Sequence, residues 1–174
     1  MRAGRVLGAT AAVLVLALLA AFFAVEHGDR TVGVGDWVRS GGVGFRVRAV
    51  RRSETYGIGE SAARGPFLLV ELEVKNHVVP LDYRFDPKNA VLLDGEGREH
   101  PPAEEVRRRV CAASGSTDDF EREFTPGSGV LGTLVFEAPA DLRGARLRVS
   151  MGVKRFGPFF SNLLGGDRFI VLPP

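Results

Sequence analysis

The amino-acid sequence predicts an all-β domain that follows a single apolar helix. Residues Val6 to Val25 form an uncharged run of 20 residues, and apolar and polar side chains alternate with a period of two in several later segments. The 22 glycines and 10 prolines favour many short elements joined by turns. Period-two alternation is typical of a strand with one buried and one solvated face. The predicted fold is therefore an antiparallel β-sandwich or barrel behind one membrane-spanning helix.

The apolar run has the length of a membrane anchor. A helix of residues 6–25 is about 30 Å long, which matches the hydrocarbon core of a bilayer. Arg2 and Arg5 precede it, so residues 1–5 are expected in the cytoplasm and everything after the helix outside it. A cleaved secretory signal is the alternative, although the run is longer than usual and no small-x-small site closes it. Residues 26–31 are predicted to be a short polar spacer.

The first predicted strands lie in residues 36–76. Asp36–Ser40 is a short strand, and the Gly41-Gly42 turn leads into Val43–Arg52, in which Phe45, Val47 and Ala49 are expected on the buried face. Residues 53–65 have no apolar rhythm and are predicted to be a loop. Pro66–Asn76 is the clearest strand of all. Its apolar positions, which face one side, are Leu68, Val70, Leu72 and Val74.

The second half of the chain continues the pattern. Its predicted strands are Leu81–Phe85, Ala90–Leu93, Val130–Ala138, Ala145–Met151 and Arg168–Leu172. The Asp94-Gly95-Glu96-Gly97 stretch is predicted to be a hairpin turn. Ala103–Val110 is expected to be a short helix or turn, and Ala112–Asp119 a polar loop.

The order of these segments resembles a bacterial family of exported Ig-like domains of unknown function. That family is related in fold to a secreted mycobacterial immunoprotective antigen. The matching segments are Val34-Gly35-Asp36, Phe45-x-Val47, the strand from Phe67 to Asn76, the stretch from Ala90 to Gly97, Pro126-Gly127, and the stretch from Gly132 to Pro139. These segments span most of residues 33–140, and the chain departs from the family pattern after Leu142, where segment 156–166 is richer in aromatic residues. The resemblance implies an Ig-like antiparallel β-sandwich, and we assign residues 32–174 to this domain. It implies no catalytic residues.

The charge balance argues against nucleic-acid binding. The formal net charge of the chain is +2, from 23 basic and 21 acidic residues. Arg2 and Arg5 account for this excess, so the exported part is neutral and lacks an overall field that attracts phosphate backbones. The single cysteine, Cys111, cannot form an intrachain disulfide.

The sequence lacks the motifs of a catalytic, metal or cofactor site. The three histidines are far apart, and no HExxH pattern, paired cysteines or Gly-x-Ser-x-Gly elbow is present. The acidic run at residues 118–123 lacks the order of a calcium loop. We therefore expect neither an enzyme nor a bound cofactor or metal.

Two segments are candidates for partner binding. Arg107, Arg108 and Arg109 form a basic run, interpreted either as an exposed charged loop or as a patch for anionic lipid headgroups or an acidic cell-wall polymer. The second candidate is the apolar segment 156–166, which contains Phe156, Phe159, Phe160 and Leu163. It is either a plug over one end of the core or an exposed patch for a partner.

These observations predict a membrane-anchored, exported module without catalytic activity. It is expected to bind an envelope protein or cell-wall polymer through loops at one end of the sandwich, with 53–65, 103–125 and 156–166 the first to consider. The alternative is a structural subunit of a larger membrane complex, docking through the helix and the segment from Phe156 to Gly166.

Overall fold

The described strands are divided between two stacked sheets. The computed structural model describes residues 31–57, 62–77, 82–114, 119–137, 142–151 and 167–173. The described residues form a five-stranded sheet, called sheet A, and a four-stranded sheet, called sheet B. Sheet A has the strand order β1 (Thr31–Val32), β9 (Arg168–Val171), β8 (Arg146–Val149), β5 (Ala90–Leu93) and β6 (Glu99–His100). Sheet B has the order β2 (Val38–Ser40), β3 (Val43–Tyr56), β4 (Ala63–Asn76) and β7 (Gly129–Glu137). The prediction of an all-β sandwich is confirmed.

Among the described strands, pairing is antiparallel with one exception. The two-residue strand β1 runs parallel to β9, with Thr31 opposite Phe169 and Val32 opposite Ile170. One α-helix, α1 (Glu104–Ser114), and two 3-10 helices, Pro87–Asn89 and Asp119–Glu121, complete the described elements. Among the described residues no helix combines the length and apolar character needed to cross a bilayer. The predicted anchor, residues 6–25, lies outside the described residues, and β1 begins at Thr31, the last residue of the predicted spacer.

The long hairpin of β3 and β4 corrects the predicted loop at residues 53–65. Each strand has 14 residues, and the pairing continues from Val43 opposite Asn76 to Tyr56 opposite Ala63. The sequence did not predict these strand ends because apolar and polar side chains do not alternate simply here. Part of the outer face packs under α1, and several other side chains are charged and exposed. Only the tip, residues 58–61, lies outside the description.

A β-bulge in β3 changes which side chains face the core. The register shifts between Val47 and Ala49, so that Ala49 lies opposite Glu71 on the outer face and Val50 lies opposite Val70 on the inner face. A bulge adds one residue to one strand and thereby reverses the alternation after it. The prediction that Ala49 shares the buried face with Phe45 and Val47 was therefore wrong.

The core fills the space between the two inner faces. Phe85 makes edge-to-face contacts with Phe45 and Phe120, with ring centroids 5.7 and 5.2 Å apart. Phe120 enters from the second 3-10 helix and lies over Gly132 of β7, where a Cβ atom would stand 2.6 Å from its ring. The predicted buried positions of β4 are confirmed: Leu68, Val70, Leu72 and Val74 are buried in this core.

Two other predicted elements differ from the structure. The described part of Leu81–Phe85 forms an isolated bridge between Tyr83 and Phe124 in place of a strand. The predicted short helix at Ala103–Val110 begins at Glu104 and continues to Ser114, through part of the predicted polar loop. Strand β5 and the Asp94–Gly97 turn match their predictions.

Candidate functional site

Helix α1 covers one end of the outer face of sheet B. Pro101-Pro102 ends β6 and sets the start of the helix, and Glu104 and Glu105 lie in its first turn, where carboxylates favour the helix dipole. The backbone N–H of Ala103 donates to the carbonyl of Val135 at 2.7 Å. Because Val135 belongs to edge strand β7, this bond partly closes the open edge of the sheet. A second apolar cluster lies beneath the helix and contains Tyr56, Ala63, Phe67, Leu69, Ala103, Val106 and Val135.

The basic run in α1 is divided between the interior and the surface. Arg107 is only 4% exposed, donates to Glu104 at 2.8 Å, and lies 5.6 Å from the centre of the Phe120 ring. Arg108 and Arg109 are exposed. Successive residues of an α-helix point about 100° apart, so three consecutive arginines cannot share one face. The expectation of an exposed run of three therefore needs correction, because Arg107 is buried inside the fold.

Arg108 and Arg109 line a surface cleft beside α1. The cleft has a volume of about 570 Å³ and opens to solvent. Its lining combines cations, carboxylates and two prolines: His100, Pro101, Pro102, Ala103, Glu104, Glu105, Val106, Arg108, Arg109 and Glu137. The cleft lies at the junction of α1 with β7, where the backbone N–H of Ala103 is bonded to the carbonyl of Val135. Of the predicted 103–125 loop, residues 103–106, 108 and 109 line this cleft.

The second predicted binding segment lies outside the described residues; it contains Phe156, Phe159, Phe160 and Leu163. Their predicted role as a core plug or an exposed patch stays a prediction.

A buried carboxylate organises the turn between β5 and β6. Asp94 is 3% exposed and accepts hydrogen bonds from the backbone N–H groups of Glu96 and Arg98, at 3.0 and 2.9 Å. Its Oδ2 is 2.7 Å from Nε of Arg98 and 3.1 Å from Nε2 of His100. The side-chain hydrogen bonds from Arg98 and then His100 hold the pKa of Asp94 well below its usual range. These hydrogen bonds stabilise the turn, and the buried carboxylate of Asp94 forms no open site.

The part of the outer face of sheet B that α1 leaves uncovered has a distinct composition, which sequence reasoning missed. Trp37 is 38% exposed, and the guanidinium of Arg46 lies 4.6 Å from the centre of its ring. Arg46 also donates to Glu73 at 2.6 Å, and Leu131, opposite Glu73 on β7, is 50% exposed. We call this surface the Trp37 platform and define it by Trp37, Arg39, Arg46, Arg48, Glu73, Lys75 and Leu131. A single tryptophan close to an arginine-rich strand was the available signal.

No group of histidine, cysteine, aspartate and glutamate side chains suited to a metal ion occurs among the described residues. Within the same ranges, no buried side-chain nitrogen or oxygen lacks a hydrogen-bond partner. The candidate surfaces are thus the cleft beside α1 and the Trp37 platform.

Two stacked sheets, with a helix on one outer face and an open charged cleft beside it, define a β-sandwich domain. A family model described as a domain of unknown function, DUF4352, matches residues 32–157. The chain belongs to this family. None of the curated proteins compared with the chain matches it.

Solved structures share the fold along most of the chain. The yjhA protein of Bacillus subtilis has a TM-score of 0.53 and 17% identity, and the match covers 82% of this chain and 99% of that one. The secreted protein MPT63 of Mycobacterium tuberculosis has a TM-score of 0.54 and 10% identity, covering 83% and 98%. An uncharacterised β-sandwich protein of Clostridium difficile has a TM-score of 0.51 and 12% identity, covering 84% and 96%. At these identities the likeness concerns the fold.

Proposed function

We propose that this protein is a non-catalytic binding or accessory module outside the cytoplasm, held at the membrane by the run Val6–Val25. Its partner is an envelope protein, and the cleft beside α1 receives an extended segment of that partner. The observation that supports this most is the cleft itself, because it gathers side chains of both charges next to edge strand β7.

The composition of the cleft favours a peptide ligand of mixed charge. Arg108 and Arg109 provide cations, and Glu105 and Glu137 provide carboxylates. Its volume of about 570 Å³ is within the range of ordinary ligand pockets. Electrostatic complementarity of this kind gives specificity and register more than raw affinity. A partner segment with alternating charges would satisfy both sets of groups.

The proposed location is supported by the sequence and by one structural neighbour. The run of residues 6–25 has the length and flanking charges of an N-in anchor. MPT63, which shares the fold, is described as a secreted protein. Both are consistent with a domain that works outside the cytoplasm.

Site-specific photocrosslinking in cells tests the cleft. A crosslinking amino acid is placed at Glu105, and a control is placed at Val171, an exposed position on β9 of sheet A. We expect a discrete crosslinked protein from position 105, lost in the R108A/R109A variant and retained in the charge-matched variant Lys88→Ala/Arg146→Ala. Equal crosslinking from position 171, or a product that is insensitive to R108A/R109A, would contradict the proposal for the cleft.

Fractionation of the same cells tests the anchor separately. The full-length chain should remain in the membrane fraction after carbonate extraction. A shortened, soluble product would show that residues 6–25 are a cleaved signal.

A further inference from the structure

The neutral domain distributes its charges unevenly over its two sheets. Among the described residues, the outer face of sheet B has five cations and three carboxylates: Arg39, Arg46, Arg48, Arg51, Lys75, Glu71, Glu73 and Glu137. On the outer face of sheet A, Arg148 lies 2.7 Å from Glu99 and 3.8 Å from Asp167, and Arg146 stacks on Phe169. The outer face of sheet B is therefore the positive face of the domain.

Two of these cations are available for a ligand. Glu73 is shared by Arg46 and Arg48, at 2.6 and 3.3 Å, and Glu71 pairs with Arg51 at 2.6 Å. Arg39 and Lys75 form no ion pair with any residue that the structure describes. They lie close to His77, where burial lowers the pKa of the imidazole and both cations lower it further. The local field at this end of the face is thus positive.

Apolar side chains flank the cations. Trp37 directly precedes β2, and Leu131 lies on β7 at the opposite edge of sheet B. Tryptophan is enriched where a membrane meets water, because its indole has an apolar body and a polar N–H. Lysine and arginine are attracted to anionic headgroups. A surface that combines both types of residue fits the interface of an anionic membrane.

The sequence places this surface close to the proposed anchor. Residues 26–30 separate the apolar run from β1, and they extend at most about 20 Å. Trp37 follows the start of β1 by six residues. A short tether therefore limits how far the platform can move from the bilayer.

We infer that the Trp37 platform rests on the membrane surface, with Arg39 and Lys75 on anionic phospholipid headgroups and with Trp37 and Leu131 at the headgroup boundary. The inference rests on the proposed anchoring. Helix α1 occupies the other end of the same sheet face, so the contact involves the uncovered end alone.

The single tryptophan makes the contact directly measurable. The full-length chain is reconstituted into vesicles of phosphatidylcholine and into vesicles of phosphatidylcholine mixed with phosphatidylglycerol, each with and without bromine on the acyl chains. Brominated lipid quenches tryptophan that it touches. We expect strong quenching in the anionic vesicles at low salt, little quenching in the neutral ones, and loss of the difference at high salt.

Two double variants that remove the same charge distinguish a contact at this face from a general effect of net charge. Arg39→Ser/Lys75→Ser should weaken the attraction roughly fivefold for each cation removed, and quenching should fall accordingly. Lys88→Ser/Arg146→Ser removes the same charge from residues outside this face and should leave quenching unchanged. An unchanged melting temperature in both variants verifies that the fold is intact.

The outcomes also distinguish the anchor from the platform. Failure of the chain to float with neutral vesicles refutes the anchoring. Flotation with both vesicle types, but with equally weak quenching in both, overturns the platform contact alone. A change in Trp37 emission on adding polyglycerol phosphate, without quenching by anionic vesicles, also overturns it and identifies a wall polymer as the ligand.

Discussion

The guanidinium of Arg46 lies 4.6 Å from the centre of the Trp37 ring and donates at the same time to Glu73 at 2.6 Å. The contact fixes the indole at the edge of sheet B, where it stays 38% exposed. A cation over an aromatic face contributes about 0.5–1 kcal/mol at an exposed site. Trp37 is therefore held in place by side chains that are themselves on the surface.

Gly44 provides the space that the Trp37 ring needs. A Cβ atom at this position would lie 3.2 Å from Cε3 of Trp37 and 3.1 Å from Nε2 of His77. Gly44→Ala should therefore displace the indole and shift its emission spectrum, with a loss of stability of about 1 kcal/mol or less. Gly33→Ala is the control, since the nearest atom to its added Cβ would be Oδ2 of Asp36, at an ordinary contact distance of 3.6 Å. Identical spectra for the two variants would contradict this role.

Gly132 has less room for a side chain than Gly44, because it lies in the core. Its Cβ would stand 2.6 Å from the buried ring of Phe120. Gly132→Ala should cost about 1–3 kcal/mol, the usual penalty for overpacking, as measured by urea unfolding. Combining it with Phe120→Leu should cost less than the sum of the two single changes. Strict additivity would show that the ring and the glycine do not interact.

Arg107 and its two neighbours should behave differently. Arg107→Ala removes charged hydrogen bonds to Glu104 and should lower the free energy of unfolding by about 1–3 kcal/mol. Arg108→Ala and Arg109→Ala should change it by about 0.5 kcal/mol or less, since both side chains are exposed. Equal effects of all three substitutions on thermal unfolding would refute the assignment of Arg107 to the interior and of Arg108 and Arg109 to the surface.

Asp94 should make stability depend on pH in the acid range. Its pKa is depressed in the folded state. The stabilisation is therefore present above the pKa of the unfolded chain, about 3.9, and is lost as pH falls towards the folded pKa. The melting temperature should therefore fall on acidification below about pH 4. Asp94→Asn should melt lower at neutral pH and show a flatter acid profile.

The matched control for that change is Glu96→Gln in the same turn. The Glu96 side chain is 74% exposed, and its pair with Arg98 is on the surface. Such pairs add little to stability. If Glu96→Gln flattens the acid profile as much as Asp94→Asn does, the buried carboxylate is not the origin of the pH dependence.

The sequence was informative where one face of a strand is buried and the other is solvated. The alternation in β4 predicted its four core positions, and the Asp94–Gly97 turn and β5 were located correctly. Ala49 was misplaced because a bulge leaves no local signature in the residue pattern. Residues 53–56 were misassigned because their strand lies at an end where the alternation of apolar and polar side chains is lost.

The candidate surfaces depend on contacts between distant segments. Arg108 and Glu137 line the same cleft only because α1 docks on β7. Trp37 meets Arg46 only because β2 turns back on β3. Neither neighbourhood follows from spacing along the chain, and the overall neutral charge concealed a positive face. Local pattern therefore predicted the sheets better than their surfaces.

The parallel pair of β1 and β9 also sets an order of assembly. Thr31 and Val32 find their partners in Phe169 and Ile170, nearly a whole domain later in the chain. A chain made from its N-terminus exposes β1 first, yet this strand has nowhere to pair until the last strand exists. Contacts between such distant segments form slowly because a long loop must close first. Of the described strands, the first to be made therefore cannot pair until the last has been made, and its place at the edge of sheet A stays empty until then.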